Sequence, residues 1–276
     1  MTNQTNKYYT IKPKHGLAAL DFSELFYYRD LFFFIAWRNI KVRYKQTVLG
    51  ATWAILQPFL TMVVFSIFFG SLAKVPSDSV PYPIFVYAGL LPWTFFSNVI
   101  RFSGTSIIED ERLITKVYFP RIIIPSSVIG VELLDFCISF VILLVMIFYY
   151  GMGISLSILL LPLLLIIMIG SALGVGLFLS ALTVAYRDFR YIVTFLVQLW
   201  MFVSPVVYPV AIVPKSWRWL LAINPMTGVI DGFRSAILHK PFDPQVLFIS
   251  FISAVILFFV GLFYFRCKER SFADLI

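Results

Sequence analysis

The stretch ISLSILLLPLLLIIMIGSALGVGLFLSALT, residues 154–183, runs for thirty positions without a charged side chain. An α-helix that crosses ~30 Å of hydrocarbon needs ~20 mainly apolar residues, so this run reads as a membrane span with length to spare. Working outward from it, five more stretches of the same kind occupy residues 52–73, 84–108, 122–150, 191–213 and 246–265. The fold class read from them is an all-α membrane protein with six transmembrane helices. The third and fourth spans exceed the bilayer, which predicts tilt, protruding ends or a break. Pro125 and Pro162 are the places for a break.

The composition agrees. Of 276 residues 60% are hydrophobic and 13% charged, against ~45–50% and ~25% in soluble domains. Thirty Phe, 14 Tyr and 6 Trp stand beside two His and two Cys, which leaves little material for a polar catalytic cluster or a disulfide framework. In so apolar a chain the net charge of +8 marks one membrane face rather than a nucleic-acid surface.

The links at 74–83 and 151–153 are too short to hold a domain, and no internal repeat is present. The chain divides into a flexible N-terminus (1–20), an amphipathic interfacial helix (21–50), a six-span domain (51–265) and a tail (266–276). Residues 1–16 are polar and lack the apolar core of a cleavable signal peptide. Between Asp21 and Lys45, Phe22, Phe26, Phe33, Trp37, Ile40 and Tyr44 recur near helical spacing while Arg38, Lys41 and Lys45 mark another face. That pattern predicts a helix lying on the membrane, with Asp21 and Glu24 as a capping-box variant at its start. A soluble amphipathic helix packed on a partner is the alternative.

With six spans both termini share a side, and the positive-inside rule orients the chain. Sixteen of the 22 lysines and arginines fall in the N-terminal region, the links after spans two and four, and the tail. Only Lys74, Lys215, Arg218, Arg234 and Lys240 fall opposite, with Arg101 inside a span. Both termini are therefore expected in the cytoplasm. The link 208–245 is too apolar for a solvated loop: Trp217 and Trp219 seek the interface, and Asn224-Pro225 reads as a helix cap with Pro at the first helical position. It predicts two short re-entrant helices. An ordinary outer loop with Trp anchors is the alternative.

No G-x-x-x-x-G-K-[ST] sequence occurs, so the chain has no P-loop for nucleotide. His15 and His239 fall on opposite sides of the membrane, and no C-x-x-C or H-E-x-x-H pattern exists, so no metal or acid–base site is built from them.

The run Arg38-Asn39-Ile40-Lys41-Val42-Arg43-Tyr44-Lys45-Gln46-Thr47-Val48-Leu49-Gly50, leading into Trp53 and Gln57-Pro58, resembles the approach to the first span in type-2 ABC exporter permeases. Leu113 to Arg121 (LITKVYFPR) looks like their first cytoplasmic loop, Tyr186-Arg187-Asp188 like the loop before span five, and Ser204-Pro205-Val206-Val207-Tyr208-Pro209 with Asn224-Pro225 like the exit from span five. The likeness is nearest to permeases that export O-antigen, capsule or teichoic acid polymers. It implies the permease subunit of a bacterial inner-membrane exporter: a homodimer with a polymer channel on its two-fold axis, driven by two copies of a separate ATPase that uses ATP and Mg. It implies no cofactor held by this chain and a lipid-linked polysaccharide as substrate. The runner-up is a drug or lipid exporter of the same family. Two further classes stay open: a secondary transporter with Arg101, Glu132 and Asp135 as an ion relay, and a membrane enzyme of lipid-linked sugars using Glu132 and Asp135.

Three groups of residues are candidates for function. Trp53, Gln57 and Thr61 in span one and Tyr191, Phe195, Gln198 and Phe202 in span five form helical stripes that mix rings with hydrogen-bonding groups, which suits a sugar path. The link 109–121 is expected to dock the ATPase: Glu109, Asp110 and Glu111 place negative charge at a helix start, Leu113, Val117 and Phe119 supply apolar contacts, and Arg121 closes the loop. Finally, Arg101 lies at a depth in span two similar to Glu132 and Asp135 in span three, which predicts an ion pair between the spans.

Overall fold

The computed structural model describes residues 26–45, 52–78, 80–153 and 155–272. Among these the chain is helical, without strand. In chain order the helices are α1 (Arg29–Lys45), α2 (Thr52–Phe65), α3 (Tyr82–Glu109), α4 (Glu111–Lys116), α5 (Ile123–Tyr149), α6 (Leu161–Ala185), α7 (Phe189–Val203), α8 (Arg218–Ala222), α9 (Pro225–Ile237) and α10 (Pro244–Lys268). Helix α2 runs on as a π-helix, Ser66–Leu72, and α6 is preceded by a 3-10 turn, Leu156–Leu160. Five of these segments are long and apolar enough to cross a membrane, and α7 is a shorter apolar helix. The six-span count therefore holds.

Span five differs from its expected range. Helix α7 ends at Val203, so its 15 residues reach only ~22 Å at 1.5 Å per residue. Ser204 to Val207 then turn as buried irregular backbone. Neither proline breaks its helix. Pro125 falls in the first turn of α5 and Pro162 in the first turn of α6, where the missing N–H would have no intrahelical partner anyway.

Helix α3 is the axis of the subunit. It packs against α2, α5, α6, α7 and α9 and buries 20 of its 28 residues, whereas α2 buries only Pro58 and Met62. Helices α6 and α10 cross with their backbones in contact. A Cβ on Gly261 would overlap the Gly174 carbonyl, and one on Gly174 would lie 2.5 Å from the Leu257 carbonyl oxygen, so only glycine permits this crossing.

The segments around both chain ends meet at one end of the bundle. There Ile35 of α1, Ile107 of α3, Ile114 of α4, Phe119, Ile122 to Ile124, and Phe265 and Phe272 of the C-terminal region form one apolar cluster. Most of the basic residues counted above belong to this end. Helix α1 presses Ile35 and Ala36 inward while Phe26, Phe33, Phe34 and Trp37 stay exposed, as a helix in the membrane interface would. The proposed cap at Asp21 and Glu24 lies outside the described residues. At the other end, Trp217 just before α8 and Trp219 within it are exposed, and α9 inserts into the bundle with twelve of its thirteen residues buried. Asn224 caps α9, its side chain accepting from the Met226 N–H, with Pro225 following.

Candidate functional site

Helix α1 packs on α5, and a line of polar side chains fastens it there: Arg38 donates to both Asp110 oxygens at 2.6 and 2.9 Å, and Asn39 to the Ser127 hydroxyl at 3.3 Å. Arg43 then pairs with Glu132 and, at 3.0 Å, with Asp135, while the Tyr44 hydroxyl donates to Asp135. Asn98 of α3 donates to the second Glu132 oxygen at 2.9 Å. Burial alone would lower the Arg43 pKa, but the two carboxylates outweigh it and leave it raised. The Tyr44 phenol is pushed up by burial and by its bond to Asp135.

The expected pairing of Arg101 with Glu132 or Asp135 is therefore corrected. Arg101 donates to the Asn98 side-chain amide oxygen, and that amide in turn donates to Glu132, while the Arg101 Nε has no hydrogen-bond partner among the described residues. The acids lie nine and twelve residues into α5, ~14–18 Å along it, and α1 delivers Arg43 to that level first.

Span one lies over this cluster. Pro58 inside α2 leaves the Ala54 carbonyl without its helical donor, and the Ser139 hydroxyl of α5 donates to that carbonyl at 2.8 Å. Beneath α2 is a cavity of about 410 Å³. It is lined by Arg43 and Tyr44, by Trp53 and Gln57, by Thr94 and Asn98, and by Glu132, Asp135, Phe136 and Ser139, among others.

The two stripes occupy α2 and α7, which both pack on α3. Trp53 and Gln57 are exposed and Thr61 is half-buried, its hydroxyl donating to the Gln57 backbone carbonyl. Tyr191, Phe195, Gln198 and Phe202 are all exposed on one face of α7, whose opposite face buries Val193 and Val197.

The 109–121 link does contain a short helix, α4, but its apolar residues divide. Val117 and Tyr118 are exposed, at 53% and 69%. Phe119 is buried in the apolar cluster and Leu113 packs against it, so Phe119 serves the interior rather than a docking surface. Arg121 is committed as well: its backbone N–H and guanidinium both bond Glu269 in the C-terminal turn. Glu109 and Glu111 are exposed, and Glu111 borders a cleft of about 350 Å³ with Arg187, Asp188 and Arg190.

At the opposite end α9 buries the charged side chain of Arg234, 1% exposed. Its guanidinium donates to the carbonyls of Phe85 (3.1 Å), Pro205 (2.6 Å), Val206 and Tyr208 (3.2 Å) and stacks 3.7 Å from the centre of the Phe85 ring. Tyr82 adds a donor to Val207 at 2.7 Å. Irregular backbone at membrane depth is tolerated only where protein satisfies it, and these two side chains do so for the turn after α7.

Residues 30–238 match the model of the ABC-2 type transporter family. The chain belongs to that family. This ABC-2 permease is 33% identical over 258 residues to the O-antigen export system permease protein RfbA of Myxococcus xanthus, covering 92% of this chain and 98% of that protein. It is 29% identical to the RfbA of Klebsiella pneumoniae over 97% of this chain and 100% of the relative. To the polysialic acid transport protein KpsM of Escherichia coli it is 23% identical, over 85% and 92%. Membership of this family implies partnering with an ATPase subunit.

Two residues of the permease escaped sequence reasoning. Arg43 was counted only as a positive charge on the basic face, although it sits five residues after Arg38 on the helix that precedes span one. Arg234 was counted as an outer-face charge. Its signal was its place, three residues after Asp231, in the mainly apolar run 226–238, where a cation has to find acceptors.

Proposed function

We propose that the chain is the membrane subunit of an ATP-driven exporter that moves a lipid-linked polysaccharide of the O-antigen type out of the cytoplasm, across the bacterial inner membrane, through a channel between two copies of itself. The observation that carries this reading is the pair of exposed faces on α2 and α7. Each places an amide, Gln57 or Gln198, among aromatic rings on the outside of the subunit. A bare amide in hydrocarbon costs several kcal/mol, whereas a second copy facing these stripes would close them into a polar, ring-lined path. Rings suit the C–H faces of sugars, and amides suit their hydroxyls. The O-antigen and polysialic acid relatives support a polysaccharide as cargo.

Without a P-loop this chain is not itself the ATPase. Two copies of a separate ATPase would hydrolyse ATP with Mg, docked on the exposed side of α4 around Glu109, Glu111, Val117 and Tyr118. The basic end carrying both terminal segments would then face the cytoplasm.

Cysteine labelling tests the path. In a C137S/C267S background, which removes the two exposed native thiols, Gln57→Cys and Gln198→Cys should react with a membrane-impermeant thiol reagent during ATP-driven transport. The lipid-side control Val145→Cys should not. Inertness at both glutamine positions in an actively transporting complex would remove the channel from this face.

A further inference from the structure

The cavity beneath span one carries polar groups, among them Arg43, Tyr44, Thr94, Asn98, Glu132 and Asp135, that lie off the two stripes. Four elements contribute to it, and its volume of about 410 Å³ falls in the ~300–1,000 Å³ range of small-molecule sites. Its polar groups are of both kinds: Glu132 and Asp135 are acceptors already oriented by Arg43, Tyr44 and Asn98. The side chains of Gln57 and Thr94 make no hydrogen bond among the described residues. Rings of Trp53, Phe95 and Phe136 complete the wall.

Charge narrows the occupant. Among the lining residues one cation, Arg43, faces two acids, Glu132 and Asp135, so the site has no excess of cations with which to hold a phosphate. An acyl chain has no use for so many hydrogen-bonding groups and would leave Gln57 and Thr94 bare. A neutral polyhydroxyl ring uses both halves of the lining, stacking on aromatic faces while its hydroxyls meet the carboxylates and amides. Trp53 and Gln57 belong at once to the outward stripe and to the cavity lining, which makes the cavity continuous with that stripe.

We propose that this cavity is a sugar-binding side site of the transport path, in which a neutral residue of the glycan lodges against Trp53 and is held by Gln57, Thr94 and the Glu132–Asp135 pair. It rests on the reading that the chain exports a glycan. A site of this kind would keep the polymer from slipping back between ATP cycles.

The test uses the full permease with its ATPase partner, stalled by an ATPase variant that binds but does not hydrolyse ATP, in membranes of the native host. Thr94→Cys reports the cavity and Phe195→Cys the outward stripe, both in the C137S/C267S background. Ser139→Cys, nearly isosteric and on the facing wall, replaces Thr94→Cys should that variant fail to assemble with the ATPase. The probe is methanethiosulfonate labelling, with and without a block in glycan synthesis. The side site predicts labelling at Thr94→Cys at least tenfold slower when glycan is made and fast when it is not. Protection regardless of glycan would make the occupant a lipid, and fast labelling in both cases would leave the cavity unvisited; either result overturns the side site. Protection at Phe195→Cys that depends on glycan keeps the export reading alive in those cases, and its absence at every position overturns both.

Discussion

Among the described residues Arg43 touches two carboxylates and Arg101 touches none, and the cost of losing each should differ accordingly. Removing one partner of a buried pair costs about 3–5 kcal/mol because the other charge is left uncompensated. Arg43→Met is expected to lose that much, read as a fall in the thermal unfolding midpoint of the purified permease, and Arg101→Met markedly less. A double-mutant cycle should give Arg43 and Glu132 a large coupling energy and Arg101 and Glu132 a small one. Equal losses would contradict the assignment. The acids themselves were legible in the sequence because charges inside apolar runs stand out. Their partner was not, since the pattern over 21–45 predicts an interfacial helix but does not say that its end reaches the acids of α5. At the other end Arg234→Met should leave the carbonyls of 205, 206 and 208 short of donors, each costing about 1–3 kcal/mol. Gly89→Ala should act on the same contact, because its Cβ would stand 2.6 Å from the Arg234 Nη2. Melting curves of both variants close to the parent's would contradict that role.

Among the elements, span one and α4 carry the sharpest expectations. Ser139 serves a carbonyl that Pro58 has freed, so Ser139→Ala should cost about 1 kcal/mol in the native chain and close to nothing after Pro58→Ala restores the helical donor. Equal costs in the two backgrounds would dissociate the hydroxyl from the proline. For α4, Val117→Asp and Tyr118→Asp are expected to weaken co-purification of the ATPase at unchanged thermal stability. Phe119→Asp should unfold the apolar cluster instead. Element type and order were legible because long apolar runs leave few choices. The end of α7 is legible too, because Pro205 holds Ser204 in an extended conformation; what is hidden is that the buried turn after it is satisfied by a side chain about thirty residues downstream. The division of Val117 from Phe119 was equally hidden, since two residues of separation say little about facing once the chain leaves the helix.

For the whole molecule, the contact of α6 with α10 is the tightest joint. Gly261→Val must push the two backbones apart, an overpacking worth ~1–3 kcal/mol or more, and should reduce the yield of folded permease. The parity of the spans and the gathering of both terminal segments at the basic end were readable from charge and hydropathy. Interfaces between copies leave no such trace, because a stripe that faces a partner and one that faces lipid differ by only a few polar residues. The most direct measurement therefore concerns the assembled transporter. The permease and its ATPase would be reconstituted into vesicles with the basic end outward and supplied from outside with the lipid-linked glycan of the native host. The account predicts that the glycan becomes inaccessible to external glycosidase only when ATP, Mg and the ATPase are all present. Glycan uptake driven by an ion gradient without the ATPase would contradict it.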